Sequence, residues 1–188
     1  MPHVDIRQLD PDAIRVDQRF QPRRFDGDKL WDPEEVDRMK VAGRAAGHSS
    51  GFDPEAWDPP DIWIDPDKTP WLLCGFHRWA LARLTSTTPI DVRVHDVDPA
   101  AALRIATRGN LKTRPHDPLE EAAIFRRLFD QGLTAEDISR ELDRRPPDTY
   151  TRRAALDYLA DGLKDEVRRK AIRVEYAEVI GEAARAGA

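Results

Sequence analysis

The sequence predicts an α+β part at the N-terminal end and an all-α part at the C-terminal end, and three observations support this prediction. In residues 1–115, apolar runs of strand length alternate with helix-start signals. In residues 116–188, apolar residues recur at helical spacing. Proline and glycine stand at the breaks between these segments. We therefore expect two domains, 1–115 and 116–188.

The strand signals of the first part predict a hairpin. Ile62 and Ile64 occupy alternate positions, a proline-containing turn follows at 65–68, and the apolar run 71–74 comes next. This order is typical of two antiparallel strands. Gly75 then ends the second strand, because glycine interrupts regular structure.

The helix signals of the first part are capping residues. Asp32 and Asp98 each precede a proline, which puts an N-cap carboxylate before a residue suited to the first helical position. A further helix is predicted over 77–85 and a strand over 90–94. Residues 47–60 are predicted to form a loop.

The second part contains a pair of helices separated by a break. A capping signature at 117–120 starts one helix, and Thr134 starts a short one after a Gln-Gly stop. Pro146 and Pro147 exclude a continuous helix, and another is predicted over 148–159. Short helix, tight turn and second helix is the arrangement that places one helix in the major groove of DNA.

The composition is that of a globular protein with a polar surface. The chain has 188 residues, of which 40% are apolar and 35% are charged. No apolar run approaches the ~20 residues of a membrane span, and no signal peptide is recognisable. Cys74 is the only cysteine, which excludes an internal disulfide. We expect a cytoplasmic protein without a membrane partner.

The charge balance excludes a DNA-binding mode that relies on a basic surface over the whole molecule. The net charge is -5, and neither part is basic: residues 1–115 hold 17 Lys and Arg against 19 Asp and Glu, and residues 116–188 hold 13 against 16. Any contact with DNA must therefore come from a local basic patch.

The predicted helix pair carries such a patch. Four arginines and two threonines lie within ten residues, namely Arg144, Arg145, Thr149, Thr151, Arg152 and Arg153. Arginine pairs with guanine or contacts phosphate, and threonine hydroxyls contact either. The alternative is a set of solvated arginines on an ordinary helical bundle, since Asp143, Asp148 and Asp157 dilute the positive charge.

A second candidate site follows the hairpin. Gly75 leaves a strand and enters a helix, so the backbone there can approach a phosphate, and a helix N-terminus favours anions. His77 and Arg78 add hydrogen-bond donors at this terminus. The alternative is a strand-to-helix turn with a polar cap.

Three boxes resemble those of the ParB/sulfiredoxin superfamily, and of ParB-like partition proteins within it. Phe-Gln-Pro-Arg-Arg-Phe at 20–25 resembles the first box, and Gly-Phe-His-Arg-Trp at 75–79 resembles the phosphate-binding box. The segment 109–122 resembles the Asn-Leu-Gln-Arg box and the Asn-Pro-Ile-Glu-Glu-Ala stretch beyond it. The predicted helix-turn-helix and the segment 172–180 follow in the family's order, so the similarity covers nearly the whole chain.

The resemblance implies a ParB/sulfiredoxin-like N-terminal domain that binds nucleotide, followed by a helix-turn-helix domain that binds double-stranded DNA. The implied cofactors are CTP, with ATP as a weaker alternative, and Mg²⁺ beside Asn110. The implied nucleotide-binding residues are Arg23, Arg24, Gly75, Phe76, His77, Arg78, Asn110 and Lys112. The implied partners are DNA, a second copy in a homodimer and a ParA-like ATPase. Such a protein serves DNA partition or transcriptional regulation, on the nucleoid or on a plasmid.

The chain departs from the family's boxes at positions that bear on the nucleotide. Gly109 stands where the family has Glu, Thr113 where it has Arg, and His77 replaces one arginine of the phosphate box. The Gly-x-x-x-Pro-Ile stretch of the family's pocket is not recognisable in 47–60. Because glycine cannot do the work of a carboxylate, we expect CTP hydrolysis to be slow or absent. Phe76 stands where sulfiredoxins carry cysteine, so sulfiredoxin activity is not expected.

Two other functions stay open on the sequence alone. Some superfamily members with a Gly-x-His-Arg box are small-molecule kinases and others are nucleases, although the predicted helix-turn-helix argues against a metabolic kinase. A regulator whose ParB-like fold binds no nucleotide is the other interpretation, and Gly109 and Thr113 favour it.

Overall fold

The structure is a computed structural model that describes residues 4–21, 29–113, 117–142 and 145–187. The side chains of Val4 and of residues 110–113 lie outside the described set. The chain separates into two compact units, Met1–Asn110 and Leu111–Ala188. Within the described ranges, no helix is both long enough and apolar enough to cross a membrane.

The first unit is built on a four-stranded sheet. Its strands are β1 (Val4–Leu9), β2 (Asp61–Ile64), β3 (Pro70–Cys74) and β4 (Ile90–His95), in the order β1-β4-β2-β3. Strands β2 and β3 form the predicted antiparallel hairpin. Strand β4 pairs antiparallel with β1 and parallel with β2. The sheet is therefore mixed, as an α+β fold allows.

Three α-helices are described in the first unit, and two of them begin at a capping carboxylate. They are α1 (Pro33–Ala45), α2 (Phe76–Leu84) and α3 (Pro99–Thr113). Asp32 and Asp98 each accept a hydrogen bond from a backbone N–H in the first turn of the helix that follows. Helix α2 starts instead at a glycine, directly after β3, and no side chain caps its first turn.

One hydrophobic core joins the sheet of this unit to its helices. Ile62, Leu72 and Leu81 are completely buried there, in β2, β3 and α2 respectively. Trp79 of α2 is buried in the same core, and its indole N–H donates to the Pro11 carbonyl at 2.9 Å. The buried polar group is thereby satisfied, and α2 is fixed on the sheet by packing.

The described part of the second unit is helical throughout. Its α-helices are α4 (Pro118–Asp130), α5 (Ala135–Glu141), α6 (Pro147–Ala155), α7 (Asp161–Arg168) and α8 (Val174–Ala186). Asp117 and Thr134 form capping boxes that start α4 and α5 at the predicted places. Helix α6 is shorter than the predicted 148–159, because a 3-10 turn at Leu156–Tyr158 follows it.

Helix α6 lies at the centre of the second unit. The Tyr150 ring packs edge-on against Phe125 of α4, with the ring centroids 5.0 Å apart. On the other side, a Cβ atom at Gly181 of α8 would lie 2.3 Å from the Ala155 carbonyl oxygen. Glycine at 181 is therefore what lets α8 approach α6 so closely.

We predict that a fragment of residues 111–188 unfolds cooperatively by itself. The hydrophobic clusters described for this unit draw their members from 119–177 alone. All 5 tryptophans precede residue 80, so in the full chain their fluorescence follows the first unit, whereas far-UV circular dichroism follows both. The two probes should give different urea midpoints. A fragment without a sigmoidal transition contradicts an independent domain.

Candidate functional site

The junction between β3 and α2 exposes backbone that an anion can approach. Gly75 adopts a φ of 87°, in the left-handed region, and is exposed to solvent. A Cβ atom here would lie 3.0 Å from the Cα of Pro60, so there is no room for a side chain. Because glycine offers no capping group, the first N–H groups of α2 are available to an anionic ligand.

Arg78, in the first turn of α2, is a half-buried cation beside this junction. Its Nε and Nη1 atoms are buried, and neither has a hydrogen-bond partner within the described part of the chain. Its guanidinium group lies over the Trp57 ring, 5.7 Å from the ring centroid. Burial lowers the pKa of Arg78 to about 10, and Asp58 opposes this shift, so the group is cationic at neutral pH. Buried donors of this kind fit the oxygens of a phosphate.

A charged cluster fixes the loop next to Gly75. The Arg93 guanidinium donates to the Pro59 carbonyl at 3.2 Å, and the Arg93 backbone N–H donates to Pro60 at 2.8 Å. Asp61 lies 2.7 Å from the His95 ring nitrogen and 3.2 Å from Nε of Arg93. The sequence interpretation missed Asp61, Arg93 and His95, because only the parallel pairing of β2 with β4 brings them together.

The third box contributes a close packing contact. A Cβ atom at Gly109 of α3 would lie 2.1 Å from the Cys74 Sγ and 3.2 Å from the Cys74 Cβ. Glycine therefore fits at 109, because the Cys74 side chain fills the space that a Cβ atom would take. Burial also raises the pKa of the Cys74 thiol well above its usual range, so the group stays protonated and unreactive.

The predicted nucleotide-binding residues divide into three groups. Gly75, His77 and Arg78 lie together at the start of α2, whereas the Phe76 side chain is buried in the core and leaves only its backbone at the junction. Asn110 and Lys112 lie in α3 with side chains outside the described set, and Arg23 and Arg24 fall in the undescribed segment 22–28. Among the described residues, no group of three or more His, Cys, Asp or Glu could hold a metal ion.

In the second unit, the turn between α5 and α6 is held by hydrogen bonds. The Ser139 hydroxyl donates to the Arg145 carbonyl at 2.6 Å. The Arg145 backbone N–H in turn donates to the Tyr150 hydroxyl at 3.1 Å. Since Ser139 lies on α5 and Tyr150 on α6, these bonds connect the two helices through the turn.

The outward face of α6 presents one arginine. Arg152 and Asp148 are exposed and form an ion pair with a separation of 2.9 Å. Thr149 and Thr151 are half-buried beside them. This face offers donors and acceptors to a surface that docks against α6. Arg144 lies outside the described residues, so its predicted contact stays a prediction.

Two other arginines predicted to contact DNA have partners inside the unit. The Arg145 side chain donates two hydrogen bonds to the Glu121 carboxylate, at 3.0 and 3.3 Å. Arg153 lies 3.0 Å from Glu178 of α8 and 3.5 Å from Glu121, and only 18% of its side chain is exposed. Sequence spacing identified the arginine cluster, but it did not reveal that these two residues pair within the helical unit.

Comparisons with known proteins agree with this architecture. A relative from Deinococcus radiodurans named "Probable chromosome 1-partitioning protein ParB" is 33% identical over 73 residues, which are 39% of this chain and 25% of that protein. The match thus spans about a quarter of the relative's length. No protein-family model matches the sequence.

Solved structures extend the similarity to nearly all of the chain. C-terminally truncated ParB from Caulobacter crescentus, complexed to the centromeric parS site, aligns with a TM-score of 0.64 and 18% identity over 93% of this chain and 84% of that one. A Pnob8-like ParB-N domain aligns with a TM-score of 0.52 and 12% identity over 95% of this chain and 80% of that one. The Caulobacter protein complexed with CTP-γ-S aligns with a TM-score of only 0.43, which adds nothing to the fold assignment.

The fold is that of a ParB-type protein, with an α+β unit followed by a helical unit. The predicted fold class is thereby confirmed. The predicted resemblance to ParB-like partition proteins is confirmed as well, by the curated relative and by these structures.

We predict that Gly109→Ala destabilises the first unit by ~1–3 kcal/mol, the usual cost of overpacking a core. The reason is the contact of the new Cβ with Cys74, whose own Cβ is 3.2 Å away and cannot rotate aside. Urea unfolding followed by tryptophan fluorescence measures the change. Gly162→Ala is the control, because its Cβ would meet nothing within 4 Å, and its unfolding is followed by circular dichroism because it lies in the second unit. Cys74→Ala should reduce the effect of Gly109→Ala, and full additivity of the two changes would contradict the contact.

Proposed function

We propose that this chain is a ParB-like DNA-binding protein in which α5 and α6 form a helix-turn-helix and a nucleotide acts as a switch. The observation that carries the proposal is the hydrogen-bonded turn before α6, together with the exposed Arg152 on the second helix. The names of the similar proteins support it, since one is called a partitioning protein and another was solved with parS DNA. We expect a role in DNA partition or transcriptional regulation, on a cytoplasmic nucleoid or plasmid.

In this proposal α6 enters the major groove as the recognition helix. Arg152 donates to a guanine edge or to a phosphate, and the hydroxyls of Thr149 and Thr151 contact bases or backbone. Asp148 is an acceptor at the start of the same face, and a carboxylate there can take the amino group of cytosine. Arg144 contributes a phosphate contact from the turn, as its sequence position predicts.

The nucleotide site of the proposal is the junction at Gly75. The N–H groups of α2 hold the phosphates together with the Nε and Nη1 donors of Arg78, which have no partner among the described residues, and His77 adds a donor. By the family resemblance, Arg23, Arg24 and Lys112 add cations, and Asn110 lies beside Mg²⁺. CTP is the expected nucleotide, with ATP weaker, and the bound triphosphate supplies the negative charge that the site is built to receive. Hydrolysis is slow or absent, because Gly109 supplies no carboxylate.

The switch is a coupling between the two ligands. By the resemblance, nucleotide binding brings two copies together as a homodimer and alters DNA binding, and a ParA-like ATPase is a further partner. Thermodynamics makes the coupling reciprocal: if nucleotide changes DNA affinity, DNA changes nucleotide affinity by the same factor.

A second candidate is a DNA-binding protein whose ParB-like unit holds no nucleotide. The packing of Gly109 against Cys74 favours it, because that contact fills the place of the family's carboxylate with protein.

We predict that Arg78→Ala abolishes nucleotide binding, since it removes the buried donors of the phosphate site. Calorimetry with CTP, ATP and GTP, with and without Mg²⁺ and DNA, measures this, and wild type should favour CTP and require Mg²⁺. Arg83→Ala is the control, because it removes an arginine from the same helix that is already paired with Asp12. If the wild-type protein binds none of the three nucleotides at millimolar concentration, the nucleotide switch is wrong and the second candidate function remains.

We predict that Arg152→Ala weakens DNA binding by ~1–3 kcal/mol if Arg152 reads a base. If Arg152 contacts a phosphate instead, the substitution should reduce the slope of log affinity against log salt concentration by about one. Arg185→Ala is the control, as an exposed arginine on another helix that carries the same charge change. Fluorescence anisotropy with a duplex selected from a random library measures both. If Arg152→Ala and wild type bind every duplex equally, α6 is not the recognition helix.

A further inference from the structure

Four charged side chains form a network around α6. Glu121 lies on α4, Arg145 in the turn before α6, Arg153 on α6 itself and Glu178 on α8. Glu121 pairs with both arginines, and Arg153 pairs with both carboxylates. Among the described residues, the members of the network are two positive and two negative groups.

Glu121 contacts both ends of α6. Arg145 stands two residues before the helix begins, and its two hydrogen bonds to Glu121 are parallel contacts with both carboxylate oxygens. Arg153 lies in the last turn of α6 and approaches the same carboxylate at 3.5 Å. Only 13% of the Glu121 side chain is exposed, so these pairs are weakly screened by water and salt. One residue of α4 therefore contacts both the turn before α6 and the last turn of α6.

The start of α6 is further fixed by two buried rings. The Arg145 guanidinium lies 5.6 Å from the ring centroids of both Phe125 and Tyr150. Tyr150 is completely buried, and its hydroxyl accepts the Arg145 backbone N–H. With its side chain held by Glu121 and its backbone by Tyr150, Arg145 has little freedom to turn outwards.

Breaking this network would have an electrostatic cost. Burial raises the pKa of Glu178, and the charge of Arg153 opposes that shift. Removing the Glu121 carboxylate would take two hydrogen bonds from Arg145, and among the described residues it would leave Arg153 with the charge of Glu178. Such a partly buried cation either stays poorly compensated or moves towards solvent, and either movement changes the position of α6.

We infer that Glu121 is a positioning residue for the recognition helix: through Arg145 and Arg153 it sets the direction of α6 on α4, and thereby the discrimination between DNA sequences. The inference rests on the proposed DNA binding by α6. It assigns Arg145 and Arg153 to the support of α6 rather than to contacts with bases. A base contact depends on side-chain position, so a small rotation of α6 weakens matched DNA more than unmatched DNA.

The test compares Glu121→Gln with wild type on two duplexes. One duplex is selected by the wild-type full chain from a random library, and the other is a shuffled sequence of the same length and composition. Glu121→Gln keeps the shape of the side chain but removes its charge. We expect the ratio of specific to non-specific affinity to fall about tenfold, while the salt dependence of binding stays unchanged.

Asp130→Asn is the matched control, because it removes one carboxylate from the exposed end of the same helix and leaves the network intact. It should keep the wild-type ratio. Each variant is assayed well below its melting temperature, measured by circular dichroism, so that loss of folded protein does not lower the affinity. Glu121→Asp is the second variant, with its charge kept and its carboxylate withdrawn by one methylene. We expect a smaller loss of discrimination from it, and it carries the test by itself if Glu121→Gln does not fold.

The outcomes separate the inference from its alternatives. If the folded variants discriminate between the two duplexes as well as wild type does, Glu121 only stabilises the unit, and the inference is overturned. A rise in affinity for both duplexes, with a steeper salt dependence, would mean that Glu121 only restrains arginines that bind phosphate, and would overturn it as well. If wild type selects no duplex from the library, the proposed function itself fails, and the inference fails with it.

Discussion

A buried guanidinium group must find acceptors for its N–H groups, and this constraint gives the arginines of the two units different roles. In the helical unit, the Arg145 side chain has acceptors inside the protein, because it donates to both carboxylate oxygens of Glu121. In the α+β unit, two nitrogens of Arg78 are buried without an acceptor among the described residues. Arg145 is therefore held within its unit, whereas Arg78 retains binding capacity that a phosphate can satisfy. The partner, and not the residue type, separates the two roles.

The fold class was predictable because the signals that define it are local. Asp117 and Thr134 cap their helices through hydrogen bonds that span three residues, and such bonds can be inferred from adjacent sequence. Strand β1 was not predicted, because its apolar residues do not alternate regularly and Ile6 is exposed. Its structure comes from pairing with β4, where Val4 lies opposite His95. Residues 4 and 95 are far apart in the chain, and a single sequence carries no local pattern that predicts such a pairing.

The candidate site was predictable only in part, for the same reason. Gly75 and Arg78 belong to one strand-to-helix junction, so sequence order alone brought them together. The pairing of Arg153 with a carboxylate on α8, and the packing of Gly109 against Cys74, depend on tertiary contacts. One signal was nevertheless present. Neighbouring residues on a helix point about 100° apart, so Arg152 and Arg153 lie on different sides of α6 and meet different neighbours.

The internal pairing of arginines also bears on how an acidic protein can recognise DNA. The chain carries a net charge of -5, and the exposed Arg152 is itself paired with Asp148. Attraction to phosphate is therefore weak for any duplex, and non-specific binding, which depends on that attraction, is weak too. Matched hydrogen bonds to base edges do not depend on net charge in this way, because they form only where donors and acceptors coincide. An acidic surface thus lowers affinity for all DNA but raises the ratio between matched and unmatched sites. Under the proposed DNA binding, the orientation of α6 would then decide which duplex is bound, and the buried pairs that hold α6 would matter more than the number of arginines on its surface.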